Sequence, residues 1–82
     1  MTLSLVFEQI SDIACEYAYV CVYADSIENE SFMEIAITDD KKIEFTIYSY
    51  NEQVKLSYAN WTEIMQRGRE LYFNQTEEEF HN

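Results

Sequence analysis

Apolar residues recur along this chain at two different spacings, and the spacing predicts the secondary structure. Between residues 3 and 17 they repeat at intervals of three and four, which predicts an amphipathic helix with Thr2 or Ser4 as its N-cap. Residues 17–24 instead alternate, with Tyr and Cys on one side and Val and Ala on the other, which favours a strand. A helix that continues to about Ala24 is the alternative for this second segment.

Three later segments alternate between apolar and polar positions, the pattern of strands with one buried face. They cover residues 32–37, 43–48 and 54–56, and a polar loop at residues 25–31 precedes the first of them. Consecutive strands joined by short connections predict an antiparallel meander. The exposed face of this sheet would carry Glu34, Glu44, Thr46, Tyr48, Tyr50 and Lys55.

The pattern then changes back to helical spacing. Residues 60–63 have the form of a capping box, and Ser57 is an alternative start one turn earlier. Gly68 costs up to about 1 kcal/mol relative to Ala inside a helix, so it indicates a close approach to the sheet or a kink. We expect the helix to end at about Phe73 and residues 74–82 to form a mobile acidic tail. Its apolar face would carry Trp61, Ile64, Met65, Gly68, Leu71 and Tyr72.

These elements predict one α+β domain over residues 1–82: a three- or four-stranded antiparallel sheet with an N-terminal and a C-terminal helix on one face. Apolar residues at 48% and aromatic residues at 16% are too many for a disordered acidic chain, so we expect it to fold. We see no apolar run near the roughly 18 residues of a membrane span and no signal-peptide pattern. We therefore expect no membrane association and a cytoplasmic location.

Charge narrows the class of partner. The formal net charge is -11, and the first forty residues contain nine carboxylates and no lysine or arginine. A surface of one sign attracts cationic partners over a range that salt screening sets. Five basic residues against sixteen acidic ones would repel a phosphate backbone, which disfavours direct binding to nucleic acid. The sequence therefore predicts a basic protein as the partner.

Two acidic sets and two tyrosines are the candidate binding residues. On the predicted first helix, Glu8, Asp12 and Glu16 would form one acidic stripe, at a cost of about 0.2 to 0.5 kcal/mol for each like-charged pair. Such a row resembles the phosphates of a nucleic acid strand, although a solvated helix face is the alternative interpretation. A second set follows in the loop, and the two sets would merge if the loop folded back beside the helix. The second set consists of Asp25, Glu28 and Glu30, extended by Glu34 at the head of the next strand and supplemented by Asp39 and Asp40 at the following turn. The candidate partner-binding residues are Glu8, Asp12, Glu16, Asp25, Glu28, Glu30, Glu34, Glu44, Tyr48 and Tyr50.

Catalytic and metal sites have little support in the sequence. It contains no phosphate-binding glycine loop and no nucleophile elbow, and its one histidine is His81, next to last in the chain. Cys15 and Cys21 are expected to be small buried thiols. The loop carboxylates lack the spacing and glycine of a calcium-binding EF-hand. We expect no enzymatic activity, no cofactor and no metal, and we expect Glu63 to pair with Arg67 four residues later.

A helix, a short antiparallel sheet, a closing helix and a heavily acidic surface within 82 residues define a recognisable plan. The chain resembles anti-CRISPR and anti-restriction proteins of the DNA-mimic type, small phage and mobile-element inhibitors that occupy the DNA-binding groove of a nuclease. It is also similar to immunity proteins that neutralise nuclease toxins. The resemblance covers most of the chain without a diagnostic motif, so it assigns no role to a single residue.

That resemblance implies a non-catalytic inhibitor of a defence nuclease. An immunity protein is the first alternative. The second is an adaptor or structural subunit that self-associates through a free strand edge or the tyrosine face. Both a monomer and a homodimer are compatible with the sequence.

Overall fold

The computed structural model describes residues 4–48 and 53–80. Within these residues the chain forms four strands and then one helix. The elements are β1 (Leu5–Ile10), β2 (Tyr19–Ala24), β3 (Met33–Ile37), β4 (Ile43–Ile47) and α1 (Tyr58–Thr76).

The four strands form one antiparallel sheet in the order β1-β2-β3-β4, so the predicted meander is confirmed. The segment 17–24 contributes β2, which makes the strand interpretation right and the helical alternative wrong. Val22 pairs with Phe7 on one side and with Met33 on the other, so inward residues of neighbouring strands lie side by side. Phe32 is buried next to Met33, and two successive residues therefore face the core where β3 begins.

The predicted N-terminal helix is wrong, because residues 5–10 form the edge strand β1. The apolar residues of this segment fall on both faces of the strand, so local spacing does not reveal it, and pairing with six residues of β2 determines the structure. The chain then turns: the backbone N–H of Cys15 donates to the carbonyl oxygen of Asp12 at 2.9 Å. Ile13, which lies within the range of the predicted helix, is fully exposed.

The predicted strand at residues 54–56 is also wrong, since residues 53–57 adopt no regular secondary structure. Val54 and Leu56 are half-buried and pack against the core as part of an irregular connection. The sheet still has four strands because β1 supplies the additional one. Lys55 therefore lies outside the sheet rather than on its exposed face.

Helix α1 begins one turn before the predicted capping box. Ser57 is the N-cap: its hydroxyl accepts from the backbone N–H of Asn60 at 3.0 Å, and the Asn60 side chain accepts from the N–H of Ser57 at 2.9 Å. The helix continues to Thr76 and ends where Glu77 adopts a left-handed conformation, with φ of 60°. The start at Ser57 was the open alternative, whereas the end at about Phe73 was predicted one turn too early.

The helix packs on one face of the sheet. Val22, Met33, Ile35 and Ile64 are almost completely buried and form the centre of the core. A Cβ added at Gly68 would lie 3.4 Å from Phe45 Cζ, so the predicted close approach to the sheet is confirmed. The fold is α+β with a single described helix on one face. In residues 4–48 and 53–80 no helix or strand covers the other face.

Two contacts join residues 78 and 80 of the predicted acidic tail to the rest of the protein. The rings of Tyr72 and Phe80 meet edge to face with their centroids 5.3 Å apart. Glu78 forms an ion pair with Lys41, with 3.2 Å between Oε2 and Nζ. These contacts position residues 77–80 beside the turn after β3, while mobility of the whole tail stays a prediction.

Candidate protein-binding surface

The face of the sheet opposite α1, which we call the open face, presents every second residue of each strand. Because β1, β2, β3 and β4 are in register, these residues form continuous rows across the sheet. None of them is a lysine or an arginine. The open face consists of Val6, Glu8, Ile10, Tyr19, Cys21, Tyr23, Glu34, Ala36, Glu44, Thr46 and Tyr48.

One row across the open face places a thiol between two carboxylates. Cys21 is the cross-strand partner of Glu8 on one side and of Glu34 on the other, and Glu34 in turn is opposite Thr46. Burial raises the pKa of the Cys21 thiol, and the negative charge of Glu34 raises it further. Cys21 is therefore a neutral, buried residue that separates two negative groups.

Each of these two carboxylates accepts a hydrogen bond from a tyrosine on the neighbouring chain segment. The hydroxyl of Tyr23 donates to Oε1 of Glu8 at 2.9 Å, and the hydroxyl of Tyr48 donates to Oε1 of Glu34 at 2.8 Å. Both tyrosines stand two residues beyond the direct cross-strand partner, so the two pairs have the same diagonal geometry. The hydrogen bond to the carboxylate raises the pKa of each phenol to about 12.

At the end of the sheet where β1 and β3 finish, an open groove of about 430 Å³ continues the open face. We call it the acidic groove. Four carboxylates and two tyrosine rings line most of it: Asp12, Glu16, Glu34, Asp39, Tyr17 and Tyr19. Desolvation raises the pKa of the Tyr19 phenol, and nearby acidic groups add to the shift. Glu34 belongs to both surfaces and connects them.

The predicted site residues separate into three places. Glu8, Glu34, Glu44 and Tyr48 lie together on the open face. Asp12 and Glu16 lie in the loop between β1 and β2, and the loop that follows β2 holds the remaining set at the opposite end of the sheet. That remaining set is Asp25, Glu28 and Glu30.

The loop residues of the second acidic set therefore do not merge with the first, because the six residues of β2 separate Asp25, Glu28 and Glu30 from Asp12 and Glu16 by roughly 16 to 20 Å at about 3.3 Å per residue. Glu34 and Asp39, which extend the second set, do lie beside Asp12 and Glu16 in the acidic groove. The predicted stripe of Glu8, Asp12 and Glu16 does not exist either, because only the first of the three lies in a regular element and that element is a strand. Tyr50 lies outside the described residues.

Two of the predicted binding carboxylates have local roles in the fold. Oδ1 of Asp25 accepts from the backbone N–H of Ser4 at 3.1 Å, and the N–H of Asp25 donates back to the Ser4 carbonyl oxygen at 2.7 Å. Oδ1 of Asp12 accepts from the N–H of Ala14 at 2.9 Å and fixes the turn after β1. Both carboxylates stabilise loops, whatever else they bind.

Few carboxylates are neutralised within the part of the chain that the structure describes. Fifteen of the sixteen acidic residues lie in the described ranges, the exception being Glu52, and two of the fifteen form ion pairs there. These are Glu78 with Lys41 and Asp40 with Lys42. The remaining thirteen have no cationic partner within residues 4–48 and 53–80.

Arg67 does not form the predicted ion pair with Glu63. Its guanidinium lies 4.6 Å from the centroid of the Phe7 ring, on the side of the sheet that α1 covers. The cation–π contact fastens the helix to the edge strand β1. It also leaves Glu63 among the carboxylates without a cation in the described structure.

Sequence reasoning missed Tyr23 as a site residue, together with the pairing of Tyr23 with Glu8. The alternation of Tyr19, Cys21 and Tyr23 was visible and placed the three side chains on one face of β2. The pairing of Glu8 with Tyr23 was not visible, because Glu8 was assigned to a helix. Cys15 and Cys21 are both free thiols, and the prediction that both are buried holds only for Cys21.

The described residues offer no evident metal site or membrane span. They contain no group of three or more His, Cys, Asp or Glu side chains placed to hold a metal ion. Over the same ranges, no helix combines the length and the apolar character needed to cross a bilayer. Comparison with protein-family models, with curated proteins and with solved structures gives no match to this chain.

Proposed function

We propose that this protein is a non-catalytic acidic inhibitor that binds the basic nucleic-acid-binding groove of a defence nuclease. In this it would act as anti-CRISPR and anti-restriction DNA mimics do. One observation supports the proposal above all others: thirteen of the fifteen described carboxylates have no cationic partner within the described residues. A basic protein surface supplies the charge that the molecule lacks.

The electrostatic part of the proposal follows from Coulomb attraction and screening. A surface with a net charge of -11 speeds encounter with a basic groove, and the attraction weakens when salt shortens the screening length to about 8 Å at physiological ionic strength. A groove built for DNA presents Lys and Arg to phosphates. Carboxylates on a rigid sheet can occupy the same side chains without any nucleic acid.

The residue types on the open face support the same function. Tyr19, Tyr23 and Tyr48 provide aromatic contact area on a sheet that is fixed by packing on its other side. Tyrosine combines an apolar ring with a polar hydroxyl and loses little conformational entropy on binding, which is why it is frequent in interfaces. The open face therefore pairs negative charge with the residue type that protein interfaces favour.

A cleavage assay tests the proposal. Purified CRISPR effector nucleases, restriction endonucleases and nuclease toxins are each incubated with the protein, and cleavage of a duplex DNA substrate is followed at low and at high salt. We expect one nuclease to be inhibited at an equimolar ratio, with inhibition lost at high salt. If no basic nuclease is slowed by excess protein in dilute buffer, the proposed function is wrong.

The choice of target separates the proposal from the immunity-protein alternative. Inhibition of a toxin alone, with the defence nucleases unaffected, would replace the defence inhibitor by an immunity protein. Light scattering on the isolated chain addresses self-association, for which the edges of β1 and β4, unpaired among residues 4–48 and 53–80, provide a route. A stable oligomer together with no inhibition would favour the adaptor subunit.

A further inference from the structure

We infer that the open face is the surface that captures the basic partner and that it binds arginine in preference to lysine. The inference rests on the proposed function and deepens it, because it selects one surface and one side-chain chemistry. The open face is uncovered in the described structure, has no cation of its own, and has Glu8, Glu34 and Glu44 as its charged residues. Its charge is thus complementary to a cationic partner and to no other kind.

Glu8 and Glu34 differ from the other candidate carboxylates because a tyrosine already orients each of them. One oxygen of each carboxylate accepts the tyrosine hydroxyl, at 2.9 Å from Tyr23 and 2.8 Å from Tyr48. In the described residues Oε2 of neither carboxylate accepts a hydrogen bond, so it is available to a partner. A side chain that is already oriented loses less conformational entropy on binding than a freely rotating one.

The carboxylates of the loop after β2 are not oriented by a hydrogen bond in this way. Glu28 and Glu30 are exposed, and within the described residues neither side chain takes part in a hydrogen bond or an ion pair. Binding a cation there would cost the rotamer freedom of a long side chain, which offsets much of the gain at an exposed site. They therefore serve as a matched comparison for Glu8 and Glu34.

The arrangement suits a guanidinium better than an ammonium. Arginine presents a planar fork of donors that can engage a carboxylate and at the same time lie against an aromatic ring, whereas lysine is a compact, strongly hydrated point charge. On the open face each oriented carboxylate has a tyrosine ring beside it. Glu8 and Glu34 are two strands apart in one row, about 10 Å at 4.8 Å per strand, which leaves room for one arginine at each.

The test uses the full chain and two probes of equal length, an oligo-arginine peptide and an oligo-lysine peptide, measured by calorimetry at low salt. The test variant is Glu8→Gln with Glu34→Gln, and the control is Glu28→Gln with Glu30→Gln, which removes the same charge. We expect the test variant to lose at least about tenfold in affinity for oligo-arginine and the control less than about threefold. We expect the wild type to bind oligo-arginine more tightly than oligo-lysine by at least about threefold.

Amide NMR of the wild-type chain gives a readout that does not depend on how the variants fold. Oligo-arginine should shift the signals of Glu8, Cys21, Glu34 and their strand neighbours more than those of the loop after β2. Equal losses in both double variants, shifts concentrated in the loops, or equal affinity for the two peptides would overturn the inference. Nuclease inhibition in the cleavage assay would survive those results, whereas its absence would remove the proposed function itself.

Discussion

The hydroxyl of Tyr48 donates a 2.8 Å hydrogen bond to Glu34 across the β3–β4 pair, on the face of the sheet that α1 leaves uncovered. Tyr23 and Glu8 repeat the arrangement across β1 and β2 at 2.9 Å. In both pairs the phenol keeps its proton because ionisation would break the hydrogen bond to the carboxylate and place a second negative charge beside it. The pairs therefore fix two negative groups on the open face while adding aromatic area next to them.

The two tyrosines should make the protein sensitive to alkali. The folded-state pKa of both phenols is about 12, above the ordinary value of 10.0, so the protonated form favours the folded state. That contribution is full below the unfolded-state pKa, near 10.0, and is lost as the pH rises through about 12. We expect Tyr23→Phe with Tyr48→Phe to flatten the dependence of unfolding free energy on pH across this window.

Chemical denaturation at a series of alkaline pH values measures this effect, with tyrosinate absorbance as a second readout. Tyr58→Phe is the matched control because that ring is 90% exposed and belongs to no such pair. If the double variant and wild type lose stability in parallel from pH 10 to 12, the two hydrogen bonds do not influence folding as described.

The two cysteines should differ sharply in reactivity. Cys15 is exposed, whereas Cys21 is buried and its pKa is raised by burial and by Glu34. Since the thiolate is the reactive form, a disulfide reagent near neutral pH should modify one thiol quickly and the other slowly. Absorbance of the released thiolate follows the reaction. Cys15→Ser should remove the fast phase, and a fast phase that survives this change would place Cys21 at the surface.

Substitutions at Gly68 should have opposite signs according to size. An alanine Cβ would lie 3.4 Å from Phe45 Cζ and 3.5 Å from Ile43 Cγ2, which is ordinary contact. Gly68→Ala should therefore raise the free energy of unfolding by about 0.5 to 1 kcal/mol through helix propensity. Gly68→Leu should lower it by about 1 to 3 kcal/mol because the sheet leaves no room. Urea denaturation of both variants measures these changes. If Gly68→Ala lowers the free energy of unfolding, the helix lies closer to the sheet at Gly68 than described.

Removal of the helix cap should weaken the fold. Ser57→Ala deletes the hydroxyl that accepts from the N–H of Asn60, and we expect a loss of about 0.5 to 2 kcal/mol in unfolding free energy. Ser11→Ala, in the exposed connection after β1, is the control and should change it by less than about 0.5 kcal/mol. Equal stability of Ser57→Ala and wild type would indicate that the helix starts elsewhere.

The sequence alone predicted the elements in which apolar residues occupy one face and polar residues the other. Strands β3 and β4 alternate strictly enough that period two has no competitor, and the placement of Glu34, Thr46 and Tyr48 on one face followed from it. The segment of β2 also alternates, although there a helix was the open alternative. Gly68 was similarly informative, since the cost of a glycine within a helix indicated a close approach to the sheet or a kink, and the structure shows the close approach.

The N-terminal segment could not be predicted in this way. Val6, Phe7 and Ile10 fit a helical stripe, but in the sheet they lie on different faces of an edge strand, and this outcome depends on pairing with β2, which local spacing does not contain. The error extended to the site, because Glu8 was placed in an acidic stripe and its hydrogen bond with Tyr23 was missed. The placement of the two acidic loops, before and after β2, at opposite ends of the sheet likewise depends on the strand topology and not on local spacing.

The central claim is that the acidic surface takes the place of DNA in a basic groove, and displacement tests it most directly. Fluorescence anisotropy of labelled duplex DNA bound to the inhibited nuclease is followed while the protein is added. We predict that the wild type displaces the DNA fully near an equimolar ratio at low salt. The double variant Glu8→Gln with Glu34→Gln should need a higher ratio of protein to nuclease for the same displacement. DNA that stays bound to a nuclease saturated with the protein would contradict the claim and indicate inhibition through another surface.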